Sequence, residues 1–446
     1  MSKEWSCKAR TQLYGYLLIL LSALLSVYWG FALQRGSPFL MSDFKGVYYG
    51  AQCLLQGRDP FAPGEVLRVY QAREGGRLLA YEEIRQILTR CVNLPTTFLV
   101  VAPFAAMPWE VAKSLWTILN IGCITTAGLL IWNIAARTAP ICSLSLVCFL
   151  LGNCELIATL GSSAGVVVGL CIISVWCLFT GRLKLIGLAC LAISLGIKPH
   201  DGGIIWLYFL LAGATYRRFA IKALMVAVAL TLVAAVWLTS VGPHWFTEFR
   251  SNLATMSMPG GLNDPGPGSI TSRTPGLIID LQAVVAIFKN DPRIYNAVSY
   301  GVCGALLFAL LLTTARSRTL TERVTWFGLA AAVPLTILIC YHRPYDARLL
   351  LLSIPGCAML WAEGGVVGKI AFVINTAAII STSDFPLTFF IVLTKGIHVD
   401  VSSFFGKIVA VVLTEPAPPI LLAMAIFYLL VYVHRSDVFG HLEVKQ

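Results

Sequence analysis

Residues 13–33 form an unbroken apolar run with no charged side chain. At ~1.5 Å per helical residue such a run reaches about 30 Å, the thickness of a bilayer's hydrocarbon core. Comparable runs recur along the chain. They predict further helices at 114–135, 140–157, 163–180, 185–200, 202–215, 221–241, 295–315, 324–341, 347–362, 366–382 and 417–433. Two longer, more polar regions interrupt the series, at 34–113 and 242–294. In the first, VLRVYQAREGGRLLAYEEIRQILTR mixes charge with spaced Leu, Val and Ile, which suits amphipathic helices lying on a bilayer. LPTTFLVVAPFAAMP (94–108) is apolar but short and interrupted by prolines, so it reads as re-entrant or interfacial. In the second, MPGGLNDPGPGS reads as a Gly- and Pro-rich loop. No tandem repeat or separate soluble domain is evident. The expectation is one polytopic, all-α membrane domain over residues 1–446, a bundle of about twelve transmembrane helices with amphipathic helices on one face.

Charge orients this bundle. The chain of 446 residues is 57% hydrophobic and 12% charged, too apolar for a soluble globular protein. Its net charge of +11 is concentrated in alternate short connections: Arg137; Arg182 and Lys184; Arg217, Arg218 and Lys222; Arg316, Arg318 and Arg323; His434 and Arg435. These fall on the same side as Lys3 and Lys8, as the positive-inside rule requires, so no nucleic-acid partner is expected. Both termini are then cytoplasmic, and regions 34–113 and 242–294 lie outside. The first apolar run is longer than a signal-peptide core and no small-x-small site follows it, so an uncleaved helix is expected. The thirteen cysteines form no CxxC pair and no Cys/His cluster with metal spacing. No metal or cofactor is expected from that spacing. Cys53 and Cys91 share an outer region and could bridge in an oxidising compartment.

The candidate chemistry lies at the outer ends of helices. Asp43 follows the first helix, where it suits either a helix N-cap or a base near the membrane surface. Lys198 ends an apolar run and could merely snorkel to the interface, but His200 and Asp201 follow directly. Tyr341, His342, Arg343, Tyr345, Asp346 and Arg348 crowd another outer junction, where interfacial anchoring is the plain alternative. Glu155 is either a further member or a loop residue, and Gly161 with Gly165 suits close helix packing. The clusters share one face. A carboxylate opposite Lys, His and Arg at the rim of a bundle suits a substrate with an anionic head and an apolar tail. The cations grip a lipid phosphate while the carboxylate takes a proton from an incoming hydroxyl.

SDFKGVYYGAQCLLQGRDPF (42–61) resembles the first outer loop of the GT-C membrane glycosyltransferases, and of glycosyltransferase family 87 in particular. The matching positions are Asp43, Tyr48, Tyr49, Ala51, Gly57, Asp59, Pro60 and Phe61. APFAAMPWEVAKSLWTILN, LGIKPHDGGIIWLYFLLAG and RPYDARLLLLSIP are similar to later family segments. The resemblance implies an inverting hexosyltransferase, with mannose the expected sugar, a polyprenyl-phosphate-linked donor and a lipid or glycan acceptor, working among membrane lipids on the outer face of a bacterial plasma membrane. Asp43 is then the catalytic base, and Lys198, His342 and Arg343 hold the donor phosphate. Tyr48, Asp59, His200, Asp201, Tyr345 and Asp346 position the substrates. The chain departs from the family at Asn93, Leu94, Pro95 and Thr96, where Tyr-Pro-Pro is usual, and at Gly161, Ser162, Ser163 and Ala164, where Gly-Gln-x-Asn is usual. The competing readings are a transporter or flippase for an anionic lipid or metabolite, whose pathway the same charges would line, and a non-catalytic assembly subunit in which Asp43 is only a cap.

Overall fold

The computed structural model describes residues 2–74, 81–269, 276–317, 320–394 and 401–436, so Arg318 and parts of both long connecting regions lie outside the described residues. Among the described residues every regular element is helical. Seven helices are long and apolar enough to cross a membrane: Thr11–Leu33, Trp109–Ala135, Pro140–Leu160, Ala214–Val241, Pro292–Arg316, Glu322–Ile339 and Ala417–Arg435. The other five expected spans are also helical but shorter, so length and composition support seven crossings among the described residues. Ala164–Thr180 and Gly365–Ser381 have 17 residues each. The segment expected at 347–362 begins as the 3-10 helix Pro344–Ser353 and continues as Ile354–Glu363.

Two further short arms, Lys184–Ile197 and Pro199–Leu211, meet at Lys198. Pro199 forces its predecessor out of the helical region, and Lys198 sits at φ −138 and ψ 83. Fourteen residues reach only ~21 Å, less than the hydrocarbon core. Arms entering from one side therefore turn inside the bundle rather than beyond its rim.

Glu322–Ile339 is the central helix, with 78% of its apolar window buried. Thr11–Leu33 is peripheral: 22% of its window is buried, and Leu17, Leu21 and Leu24 face outward, as lipid contact requires. Glu363 receives Arg323 and, at 2.6 Å, Arg435, which ties together the starts and ends of three helices. Since Arg323 opens the helix that closes at Ile339, this cation cluster lies at the opposite end of the bundle from Cys340 and the residues that follow it.

Region 34–113 is largely helical where described, and its charged stretch is amphipathic as expected, with Glu65–Glu74 burying Val66, Val69 and Tyr70. Glu82–Thr89 likewise buries Ile84 and Leu88. Ser42–Leu55, however, is enclosed, with only Asp43 and Leu55 of its residues outside the buried set. Its small residues explain the fit. A Cβ at Gly50 would stand 2.7 Å from the Phe98 ring, and one at Gly46 would stand 2.8 Å from Ile87. The Phe98 contact comes from the helix Pro95–Ala105, the short apolar stretch read as interfacial. Gln52 donates to the Ala105 carbonyl at 3.1 Å and Tyr48 to the Met107 carbonyl at 2.8 Å, pinning the two helices together. Region 242–294 holds the helices Trp245–Ser257 and Leu281–Phe288, and its Gly- and Pro-rich stretch 258–269 between them is turn and loop, as expected. The chain between 382 and 417 adds Asp384–Thr394 and Phe404–Thr414, which the sequence reading did not anticipate. Cys53 and Cys91 are both buried free thiols, so no bridge joins them.

Candidate active site

Asp43 lies in the first turn of Ser42–Leu55, but it is not the cap. Met41 occupies the N-cap in the left-handed region, φ 59, without a side-chain capping bond. That turn is fixed from outside the helix. Gly161, itself left-handed at φ +66, packs so closely that an added Cβ would stand 2.8 Å from both Met41 and Phe44. Its carbonyl accepts from the Trp116 indole at 2.8 Å, and Phe44 stacks on Trp116 with centroids 5.0 Å apart. The result leaves the Asp43 carboxylate free to face a cavity, where its Oδ2 accepts from the Tyr345 hydroxyl at 3.3 Å.

The cavity has a volume of about 420 Å³, within the range of small-molecule sites. Separate parts of the chain build its polar wall, among them Asp43; Arg90 with Asn93; Ser162 with Ser163; Lys198 with His200; and Tyr341, Arg343 and Tyr345. Ile87, Phe249, Leu253 and Met256 supply an apolar wall. Asp43 is the one carboxylate among the lining residues, against Arg90, Lys198 and Arg343. Burial pushes its carboxyl above the usual value, and the positive charges of Arg343 and Lys198 partly offset that rise.

Asp346 sets the cations from behind. One oxygen holds the Lys198 ammonium at 2.8 Å and the other accepts from the Arg343 backbone N–H at 2.9 Å. Lys198 also lies 5.2 Å over the Tyr345 ring, and Arg343 is 5.7 Å over that of Tyr341. Both cations are thereby pre-organised with donor capacity left over for a ligand.

The remaining sequence candidates divide. His342 is fully buried and does not line the cavity; its Nε2 is 3.1 Å from Asp201, which is also fully buried. Tyr48, on the Asp43 helix itself, is fully buried, and Asp59 closes its own turn by accepting from the Phe61 N–H at 2.9 Å. Neither lines the cavity. Arg348 pairs with Asp384 at 2.8 Å, away from the site, and Glu155 lies buried beside Gly30 of the first helix. Arg90 was not singled out from the sequence, because a basic residue ending a charged amphipathic segment carries no distinguishing signal. Asn93, Leu94, Ser162 and Ser163, by contrast, belong to the two departures from the family pattern, and all four line the cavity. The donor atoms of His200, Asp201 and His342 lie within 4.8 Å of one another, a grouping that can hold a metal ion.

Residues 93–273 match the family model of Glycosyltransferase family 87. Neither a curated protein nor a solved structure gave a match. The matched stretch carries Lys198, His200 and the two departing segments, while Asp43 and Arg343 lie outside it.

Proposed function

The chain is a glycosyltransferase of family 87, a membrane enzyme of the GT-C type, and from that premise we propose that it transfers a hexose, with mannose our assignment, from a polyprenyl phosphate to an acceptor hydroxyl. The observation that carries this reading is the lone carboxylate of Asp43 facing Lys198 and Arg343 across one cavity. Asp43 takes the proton of the acceptor hydroxyl as its oxygen attacks the sugar's anomeric carbon. The bond to the lipid phosphate breaks, and Lys198 and Arg343 stabilise the departing phosphate. A double displacement needs a second carboxylate close by. Among the described residues the cavity lining offers Asp43 alone, which supports a single displacement with inversion. His342, sealed behind Asp201, leaves the phosphate clamp in this reading, and His200 and Tyr345 remain as positioning groups.

The raised Asp43 carboxyl fits a general base, whose efficiency improves as its proton affinity approaches the working pH. A lipid-linked donor also fits a site on the outer face, because nucleotide sugars are charged and do not cross a bilayer unaided. The purified protein should form glycosylated product from a polyprenyl-phosphate hexose, which a transporter or an inert subunit would not. Asp43→Asn should retain expression and donor binding while turnover falls at least about a hundredfold. Near-normal turnover by this variant would remove Asp43 as the base.

The placement of the short-connection cations supports an outward-facing site. Single cysteines replacing the exposed Arg58 and Arg217, in a background cleared of competing thiols, test it in intact cells with an impermeant reagent. Labelling at 58 but not at 217 is expected; the reverse pattern would turn the enzyme over.

A further inference from the structure

Behind the cavity wall, Asp201 and His342 meet in a way that a neutral imidazole does not explain. His342 Nδ1 lies 2.8 Å from the Cys340 carbonyl oxygen. A carbonyl only accepts, so Nδ1 carries the proton, and in the neutral ring Nε2 presents a lone pair. That lone pair lies 3.1 Å from Asp201 Oδ1, another acceptor, in a place where both side chains are fully buried. Neither His342 Nε2 nor either Asp201 oxygen has a hydrogen-bond partner. Two facing acceptors shut away from water repel unless a positive charge lies between them.

The neighbours narrow what that charge is. His200 Nε2 is 3.9 Å from the same Oδ1, and His200 lines the cavity. The separations of 3.1 and 3.9 Å bracket the ~3.3 Å expected between ligand atoms that share one tetrahedral ion at about 2.0 Å. Lys198 lies on the other side of the carboxylate, 3.9 Å from Oδ2, and leans instead to Asp346 at 2.8 Å. The Oδ1 side is thus left to the two imidazoles. A ligating histidine characteristically donates its other ring N–H to a backbone carbonyl or a carboxylate, as His342 does to Cys340.

We propose that His200, Asp201 and His342 bind a divalent transition-metal ion of the zinc class. Two imidazoles and one carboxylate suit zinc or its first-row neighbours, whereas magnesium prefers oxygen ligands throughout. His200 gives the ion its side toward the cavity, where an open position would meet a phosphate oxygen; that last role rests on the transferase reading, while metal binding itself does not.

The test is made on the full-length protein, purified in detergent, stripped with a chelator and reloaded with Zn2+ or Co2+, with no donor or acceptor present. About one ion per chain is expected, with visible ligand-field bands for Co2+. His200→Ala, at the cavity wall and the least buried of the three, should fold and weaken Co2+ affinity at least about tenfold. Asp201→Asn should weaken it as well, and near-native melting would qualify each variant for comparison. Failure of the wild type to retain either ion, or equal binding by the wild type and a folded His200→Ala, would overturn the proposal and leave a His342 imidazolium paired with Asp201. Because the readout needs no turnover, it stands apart from failure of the transferase reading.

Discussion

Two charge groups lie at the same end of this molecule, one buried and one half-buried, and they are built on opposite plans. Arg348 and Asp384 form a sealed pair. Their ion pair is 2.8 Å long, the second Asp384 oxygen accepts the Leu156 N–H at 2.9 Å, and neither residue reaches the cavity. Asp43, Lys198 and Arg343 instead face a shared space, and Asp346 holds the Lys198 ammonium and the Arg343 backbone, leaving the guanidinium uncovered. The first group locks the 3-10 segment Pro344–Ser353 to the chain at Asp384. The second keeps surplus charge available to a ligand. Burial of charge alone therefore does not mark a site; unspent donor capacity at a cavity does.

The comparison breaks most visibly if the sealed pair is opened. Arg348→Ala leaves Asp384 charged and uncompensated, and should cost about 3–5 kcal/mol of stability, read as denaturation in detergent. Replacing both partners by apolar residues, as in Arg348→Met with Asp384→Leu, should recover most of that loss. If Arg348→Ala were as stable as the parent, the pair would not be the lock described.

Arg343→Ala should behave differently, because its side chain faces the cavity. Donor binding should weaken by about 1.5–3 kcal/mol, the range for a hydrogen bond to a charged group, with melting little changed. Unchanged affinity would make Arg343 an interfacial anchor and remove half of the proposed clamp.

The smallest effect sharpens the role of Asp43. Its carboxyl is raised in the folded protein, so the native state holds the proton more tightly than the unfolded chain does. Stability contributed by this group is present at low pH and is lost as pH rises through the folded value. Asp43→Asn should therefore be at least as stable as the parent at neutral pH, with any advantage disappearing in acid below the ordinary carboxylate range. A helix cap predicts that Asn merely equals Asp and that Ala costs about 1 kcal/mol. In activity, the acid limb should move to higher pH in Arg343→Ala, which loses a charge that lowers the Asp43 carboxyl, and stay in place in Arg343→Lys.

Much of the architecture was legible in the sequence because membrane crossing is a local property. A run such as 13–33 carries its length and apolarity within itself, and the Lys-Pro step at Lys198 fixes its own turn. The family motifs likewise pointed to Asp43 and to the junctions holding Lys198 and Arg343. Which of the charged neighbours is open and which is sealed depends instead on partners far away in the chain. Asp43 meets Tyr345 across 302 positions, and Arg348 meets Asp384 rather than the cavity. His342 and Arg343 are adjacent in the sequence, yet one is sealed against Asp201 and the other lines the cavity. Alternation along an irregular turn sends neighbours in opposite directions, and only the packing around it decides which direction is outward. The sequence by itself therefore determined a helical membrane transferase and its charged helix junctions, while tertiary structure decided which charges face the cavity and brought His342 back to His200 and Asp201, because contacts between distant helices leave no periodic trace in either segment.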